Sequence, residues 1–347
     1  MVCLLKRYAE FFPLTPNTPL LSIGEGDTPL VELCNLGAKL EIELFAKFEG
    51  LNPTGSFKDR GMVLAVSKAV EEGSSGIICA STGNTSASAA AYAAKAGIKC
   101  HVILPSGKVA KGKLAQALIY GANVLALRGN FDVALEMVRK IADNLGLKIV
   151  NSVNPYRLWG QRSGAWEVCD DIGAPDWCVL PVGNAGNITA YWTGFFQYMK
   201  KGLIGSIPKM VGIQAQGAAP LVKGFPVPEP ETIATAIRIG NPVNAKKALA
   251  AARNSNGMFL SVSDEEILNA QKELARKEGI FAEPASCATL AGLYKLKKEG
   301  KLPKNIRVVM VLTGNGLKDP QVVDRVTSSP REIEAKYDVL REAILSC

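Results

Sequence analysis

The chain of 347 residues predicts an α/β protein of two parallel-sheet domains with a cleft between them. Three observations carry this. The length exceeds one minimal domain and suits two, or one large α/β unit. From about residue 43, short apolar runs alternate with helical stretches, the rhythm of a parallel sheet with helices on its faces. Several of the runs end in Gly-, Ser- or Asn-rich turns that open directly into a helix, at the level where ligands of such folds bind.

Residues 44–48 read as the first strand. The turn Asn52-Pro-Thr-Gly-Ser-Phe-Lys-Asp-Arg-Gly61 follows, then an apolar helix over 62–70. Residues 75–80 read as a strand, 81–85 as a turn, and 86–96 as an alanine-rich helix ending at Gly97. Next come strand 99–104, helix 110–120, strand 122–127, helix 131–145 with Gly146 at its end, and strand 147–151. A loop over 152–162 leads to a second series: helix 163–172, strand 177–182, helix 188–201 and strand 209–215. After a Pro-rich stretch at 220–230 come a helix beginning after Ser263, another at 286–298, and strand 306–312. Ser263-Asp-Glu-Glu266 fits a capping box, with Ser263 bonding the amide of Glu266 and Glu266 the amide of Ser263. The smaller domain is expected at 50–150 and the larger, discontinuous one at 1–49 plus 151–347. The charged tail from Ser328 to Cys347 is helical in pattern and reads as a packing or oligomer element.

Composition narrows the chemistry. With 48% hydrophobic and 21% charged residues, disorder is disfavoured. The net charge of +8 is spread along the chain, in pairs such as Lys200-Lys201 and Lys297-Lys298, with no basic tract. A nucleic-acid partner is therefore disfavoured, whereas phosphorylated small molecules suit a positive balance. The eight cysteines include no C-x-x-C pair, so no zinc ribbon or thioredoxin-like site is indicated. No apolar run reaches the ~18 residues of a membrane span, and no signal-peptide arrangement opens the chain, so a cytoplasmic location is expected. The single histidine, His101, lies in a strand-like run and reads as a satisfied strand residue. Ser-His-Asp, Cys-His and multi-histidine metal chemistry then lose their central residue, and no metal site is expected. An enzymatic base would have to be another group, which draws attention to Lys58.

Three loops share the level of that lysine. Gly183-Asn-Ala-Gly-Asn187 lies between a strand and a helix, where backbone N–H groups and the helix dipole favour an anion. It is neither G-x-G-x-x-G nor a nucleotide P-loop, so it suits a single phosphate monoester, or else is an ordinary tight turn. Ser81-Thr-Gly-Asn-Thr85 could grip a carboxylate and bond a ring oxygen through Asn84, or simply cap its helix. In Leu312-Thr-Gly-Asn-Gly-Leu-Lys318, the Thr313 hydroxyl could pair with a heteroaromatic nitrogen, although as a turn it needs no ligand. A lysine, a phosphate cup and a missing histidine set together suggest pyridoxal 5′-phosphate, which needs a Schiff-base lysine, an anion site and a partner for its pyridine nitrogen. Lys58 would have to be desolvated or near positive charge, to which Arg60 and the helix N-terminus could contribute.

These stretches, with Thr235-Ala-Ile-Arg-Ile-Gly-Asn-Pro242, resemble the threonine synthases of the tryptophan-synthase-β-like (fold type II) pyridoxal-phosphate enzymes, in order and over about residues 20–320. The resemblance implies that Lys58 carries the cofactor with Phe57 beside it. It implies that Asn84 bonds the ring hydroxyl, that Gly183, Asn184, Ala185, Gly186 and Asn187 hold the cofactor phosphate, and that Thr313 faces the pyridine nitrogen. The implied reaction is the lyase conversion of O-phospho-L-homoserine and water to L-threonine and phosphate, by γ-elimination and β-addition of water, the last step of threonine biosynthesis. A homodimer is expected on the same ground. So is the family's shorter form, without a regulatory extension or an adenosyl-activator site.

The substrate's own phosphate needs a second anion site. Asn151-Ser-Val-Asn-Pro-Tyr-Arg157 supplies Ser152, Asn154 and Arg157, whose guanidinium offers a bidentate fork, or else makes a structural salt bridge. Thr85 and Asn187 could assist, and Ser81 and Thr82 are candidates for the substrate's α-carboxylate. A threonine or serine dehydratase of the same fold is the alternative. Those relatives typically carry a glycine-run phosphate loop and need no second phosphate site.

Overall fold

The computed structural model describes residues 3–81, 83–106, 111–128, 131–325, 327 and 330–345. Among them, two sheets are built from β1 (Leu30–Glu32), β2 (Glu43–Phe48), β3 (Gly76–Ala80), β4 (Lys99–Pro105), β5 (Asn123–Leu127), β6 (Lys148–Ile149), β7 (Trp177–Pro181), β8 (Lys209–Ala215), β9 (Met258–Val262) and β10 (Arg307–Leu312). The larger sheet has the order β1-β2-β10-β7-β8-β9 and the smaller β5-β4-β3-β6. β3 and β7 are buried at every residue, which is why their sequences are continuous apolar runs rather than alternating ones.

All pairings are parallel except β1 with β2, which is antiparallel. The parallel sheets expected from the sequence are present, with one antiparallel strand added at that edge. β1 has only three residues and no fully buried one, so it leaves no apolar run to detect. β9 was also unread, because as the other edge it is only partly buried over Met258–Ser261. Strand 147–151 shortens to the two residues of β6. The expected loop at 152–162 contains the helix Pro155–Gln161, announced by an Asn-Pro pair: Asn154 caps it, accepting from the amide of Tyr156 at 2.9 Å, and Pro155 opens its first turn. The capping box at Ser263 is present with both hydrogen bonds, 3.1 and 2.7 Å.

The period of two along β7 and β10 sorts their side chains to two faces. Cys178, Leu180, Val309 and Val311 pack with Ile188 and Tyr191 of the helix Gly186–Lys200. Trp177, Val179, Val308 and Met310 pack with Ala285, Ala288 and Leu290 of the helix Pro284–Lys298. The helix Tyr337–Leu345 buries none of its residues, which corrects its reading as a packing element of this chain. His101 is half-buried in β4 and its Nδ1 lies 3.3 Å from Asn123 Nδ2 on β5. Among the described residues no helix is long and apolar enough to cross a membrane, and no cluster of His, Cys, Asp and Glu could hold a metal ion.

Candidate active site

The turn that carries Lys58 is stitched to the loop after β10. Ser56 and Gly314 form an isolated antiparallel bridge, the amide of Phe57 donates to Thr313 O at 3.0 Å, and that of Asn315 to Gly55 O at 2.9 Å. Gly55 adopts φ +84°, a conformation that a side chain would strain. Asp59 secures the turn from inside, accepting from the Thr54 amide and hydroxyl at 2.7 Å each and from Ser88 Oγ at 2.6 Å. Lys58 is thus fixed in the first turn of the helix Lys58–Glu71, its Nζ 4.2 Å from the centre of the Phe57 ring.

Burial of the ammonium, then the nearby Arg157 guanidinium, lower the Lys58 pKa to about 7, with Glu283 opposing. The part expected of Arg60 is corrected. Arg60 is committed to a buried network with Glu49 (2.6 and 2.8 Å), Glu167 (2.7 and 2.6 Å), Thr28 and Ser163. Lys47 joins it through Glu167 at 2.9 Å. Its charge is neutralised there, and the guanidinium acting on Lys58 is that of Arg157.

Arg157 is 2% exposed and has no salt bridge among the described residues. Its Nη1 donates to Val150 O at 2.6 Å, while Nε has no partner. Desolvation lowers its pKa to about 10. The structural salt bridge weighed for it is absent, so a buried guanidinium stands beside the lysine with donors to spare. Of its neighbours in sequence, Ser152 is half-buried. Asn154 is employed locally, as the cap and by donating to Ile149 O at 2.8 Å. Asn151 pairs with the backbone of Ala80, donating at 2.8 Å and accepting at 3.0 Å, and so sets the end of β6 beside the end of β3.

Ser81 accepts from the amide of Gly83 at 3.3 Å, and Asn84 and Thr85 lie in the first turn of the helix Asn84–Ala96. Thr82 lies outside the described residues. At Gly183–Asn187, Ala185 takes φ +62° to start the helix Gly186–Lys200. A Cβ on Gly183 would stand 3.0 Å from Ile237 Cα, so the segment Thr235–Ile237 presses on this loop. Asn187 is 7% exposed, yet neither its Nδ2 nor its Oδ1 has a partner.

One member of the site was not read from the sequence. Glu283, 3% exposed at the start of the helix Pro284–Lys298, accepts from Asn84 Nδ2 at 3.0 Å and from Thr313 Oγ1 at 3.1 Å. It therefore joins two of the residues expected to hold the cofactor ring. Its signal is the polar residue before Pro284, which reads equally as an ordinary helix start. Two surface grooves, one against Phe11, Trp159 and Phe196 and one against Arg162, Trp192 and Thr193, contain none of the expected site residues.

A pyridoxal-phosphate dependent enzyme profile matches residues 21–314. The threonine synthase of Halalkalibacterium halodurans is 59% identical over 91% of this chain and 90% of its own length. That of Methanocaldococcus jannaschii is 52% identical over 97% of this chain and 86% of its own. The chain belongs to the threonine synthases of the pyridoxal-phosphate dependent enzyme family. Among solved structures, O-ureido-L-serine synthase superposes with a TM-score of 0.76 at 19% identity, over 93% of this chain and 97% of that one. The processed threonine deaminase isoform 2 of Solanum lycopersicum gives 0.75 at 22%, over 86% and 87%. These likenesses show the fold, that of the fold type II enzymes. Members of the family are pyridoxal-phosphate dependent, and the residues present suit that group. The amine has a lowered pKa, a left-handed Ala185 opens a helix N-terminus, and Asn187 is buried there without a partner.

Proposed function

We propose that the protein is a pyridoxal-phosphate dependent threonine synthase, which converts O-phospho-L-homoserine and water to L-threonine and phosphate in the last step of threonine biosynthesis. The observation that carries this is Arg157, a buried guanidinium near the Lys58 amine that has no salt bridge among the described residues. A phosphorylated cofactor acting on a phosphorylated substrate needs two anion sites, and a dehydratase needs one. The dehydratase alternative has less support, since the relatives at 52–59% identity are threonine synthases whereas the threonine deaminase resembles this chain at 22%.

In this reading Gly183, Asn184, Ala185, Gly186 and Asn187 hold the cofactor phosphate at the helix N-terminus. Asn84 meets the ring hydroxyl, Thr313 the ring nitrogen, and Phe57 lies beside the lysine. When bound, pyridoxal phosphate supplies a conjugated ring that spreads the charge left on the substrate by proton removal. With a pKa of about 7, the Lys58 amine is part neutral and part protonated near neutral pH, so it can take protons from the α- and β-carbons and return one to the γ-carbon. Arg157 holds the leaving phosphate with Ser152, Thr85 and Asn187, while Ser81 and Thr82 take the α-carboxylate. Asn154, whose side chain is spent on its cap, contributes by fixing the helix that presents Arg157.

We further infer a smaller domain at 50–150 and a larger one at 1–49 plus 151–347. Every strand of the smaller sheet comes from the first range and every strand of the larger from the second. A cytoplasmic homodimer with neither nucleic-acid nor membrane partner completes the reading. The exposed Tyr337, Leu340 and Ile344 offer apolar surface to a second copy.

The test supplies O-phospho-L-homoserine and, separately, threonine or serine to the holoenzyme. Phosphate release matched by threonine formation is expected. 2-Oxobutyrate from threonine as the main activity would favour the dehydratase.

A further inference from the structure

The helices that carry Lys58 and Arg157 cross with their backbones in contact. A Cβ on Gly160, in the helix Pro155–Gln161, would fall 2.0 Å from Arg60 O and 2.7 Å from Gly61 Cα. A Cβ on Gly61, in the helix Lys58–Glu71, would fall 2.5 Å from Arg157 O and 3.1 Å from Arg157 Nε. Neither glycine has a positive φ, and glycine weakens a helix interior, so backbone conformation gives no reason for either. Close approach does. A side chain at 160 would have to part the helices by more than about 1 Å before ordinary contact is reached.

The spacing ties this crossing to the site. Lys58 and Gly61 are three residues apart, as are Arg157 and Gly160, so each cation lies on the face of its helix that makes the contact. Further bonds hold the arrangement. Ser163 Oγ donates to Gly160 O at 2.7 Å and accepts from Arg60 Nη1 at 3.1 Å, which ties one helix to the other. The Arg157 helix also meets the Gly183–Asn187 loop, since a Cβ on Gly186 would lie 3.2 Å from Leu158 Cδ2. The guanidinium itself is held only through Nη1, on Val150 O, and its buried Nε has no partner. Where it points depends on where its helix lies.

We propose that Gly61 and Gly160, with the Ser163 hydroxyl that ties them, are positioning residues for the substrate phosphate, setting Arg157 against Lys58 by letting the two helices cross backbone to backbone. The proposal rests on the reading above, in which Arg157 takes that phosphate. All three residues act through Arg157 and touch neither substrate nor cofactor.

The experiment is a double-mutant cycle on the holoenzyme, read as kcat/KM for O-phospho-L-homoserine, with cofactor occupancy checked by visible absorbance. Gly160→Ala should lower kcat/KM roughly tenfold or more while the absorbance remains, because small misplacements of a binding group are costly. In an Arg157→Leu background the same substitution should add less than about twofold, since the group it misplaces is already gone. An unchanged kcat/KM in Gly160→Ala overturns the proposal, as does an equal factor in both backgrounds, which marks general damage to the fold. Should Gly160→Ala fail to fold, Ser163→Ala is read in its place, because it removes the tie without adding an atom. It should lower kcat/KM severalfold in the wild-type background alone, and wild-type turnover overturns the proposal. Arg157→Leu by itself tests the underlying reading. If it lowers kcat/KM while Gly160→Ala does not, the reading stands without the proposal. If Arg157→Leu turns over substrate like the wild type, both fall.

Discussion

Arg157 stands near enough to Lys58 that its guanidinium is, after burial itself, the chief influence lowering the amine's pKa to about 7, and neither cation has a salt bridge among the described residues. A buried guanidinium beside a second positive group is unfavourable, and an anion beside them relieves it. In the proposed function that anion is the phosphorylated substrate.

Arg157→Leu removes the guanidinium while keeping an apolar filler. Loss of a charge-assisted phosphate contact, at about 1.5–3 kcal/mol, predicts a fall of roughly 10–100-fold in kcat/KM for O-phospho-L-homoserine. Cofactor absorbance should remain near that of the wild type. Loss of the absorbance together with activity would place Arg157 in the cofactor site or the fold instead.

The pH dependence of cofactor uptake follows from Lys58. Only the neutral amine bonds to the cofactor carbonyl, so uptake by the apoprotein should rise as pH increases through about 7 and level off above it. In Arg157→Leu the amine loses a neighbour that lowers its pKa, so the midpoint should move to higher pH. Stopped-flow absorbance over a pH series measures both, and a midpoint near the ordinary lysine range in the wild type would contradict the account.

Ala185 holds a left-handed backbone, φ +62°, at the start of the helix that follows the proposed phosphate loop. Glycine adopts this conformation without strain, so Ala185→Gly should raise the melting temperature of the apoprotein, by about 1 kcal/mol in stability. Ala185→Val should lower it and weaken cofactor binding, because a β-branched residue resists the turn. Equal affinities in the two variants would detach this backbone from the phosphate site.

The network at Arg60 predicts an effect on stability. Arg60→Met leaves Glu49 buried without its cationic partner and Glu167 with Lys47 alone, at about 3–5 kcal/mol. Burial alone would raise the Glu167 carboxyl, but the Arg60 charge and hydrogen bonds, with Lys47, bring it down to about 2 from 4.5. A lowered carboxyl pKa contributes stability that is full above about 4.5 and lost as pH falls toward about 2. The gap in melting temperature between wild type and variant should therefore narrow across that window.

What was legible in the sequence was local. The strand–turn–helix junctions at Ser81 and Gly183 announce themselves through small residues placed between an apolar run and a helix, the turn at Thr313 by following an apolar strand, and each lies where it was expected. Lys58 gained meaning from its neighbours in number line and loop level alike. What the sequence hid is long-range pairing. Glu283 meets Asn84 across 199 positions, and no periodicity links them. Arg60 and Arg157 look alike as lone arginines, and only the fold shows that carboxylates pair with one and that the other has no salt bridge among the described residues. Asn154 was read as a ligand from its place, and the proline after it also marks it as a helix cap.

The most direct test of the central claim is borohydride reduction of the holoenzyme followed by peptide mapping. The account predicts the added cofactor mass on Lys58. Lys318, whose pKa burial also lowers and whose amine donates to Thr54 O at 2.9 Å, is the informative comparison. Cofactor mass on Lys318, or on any lysine other than Lys58, would contradict the account.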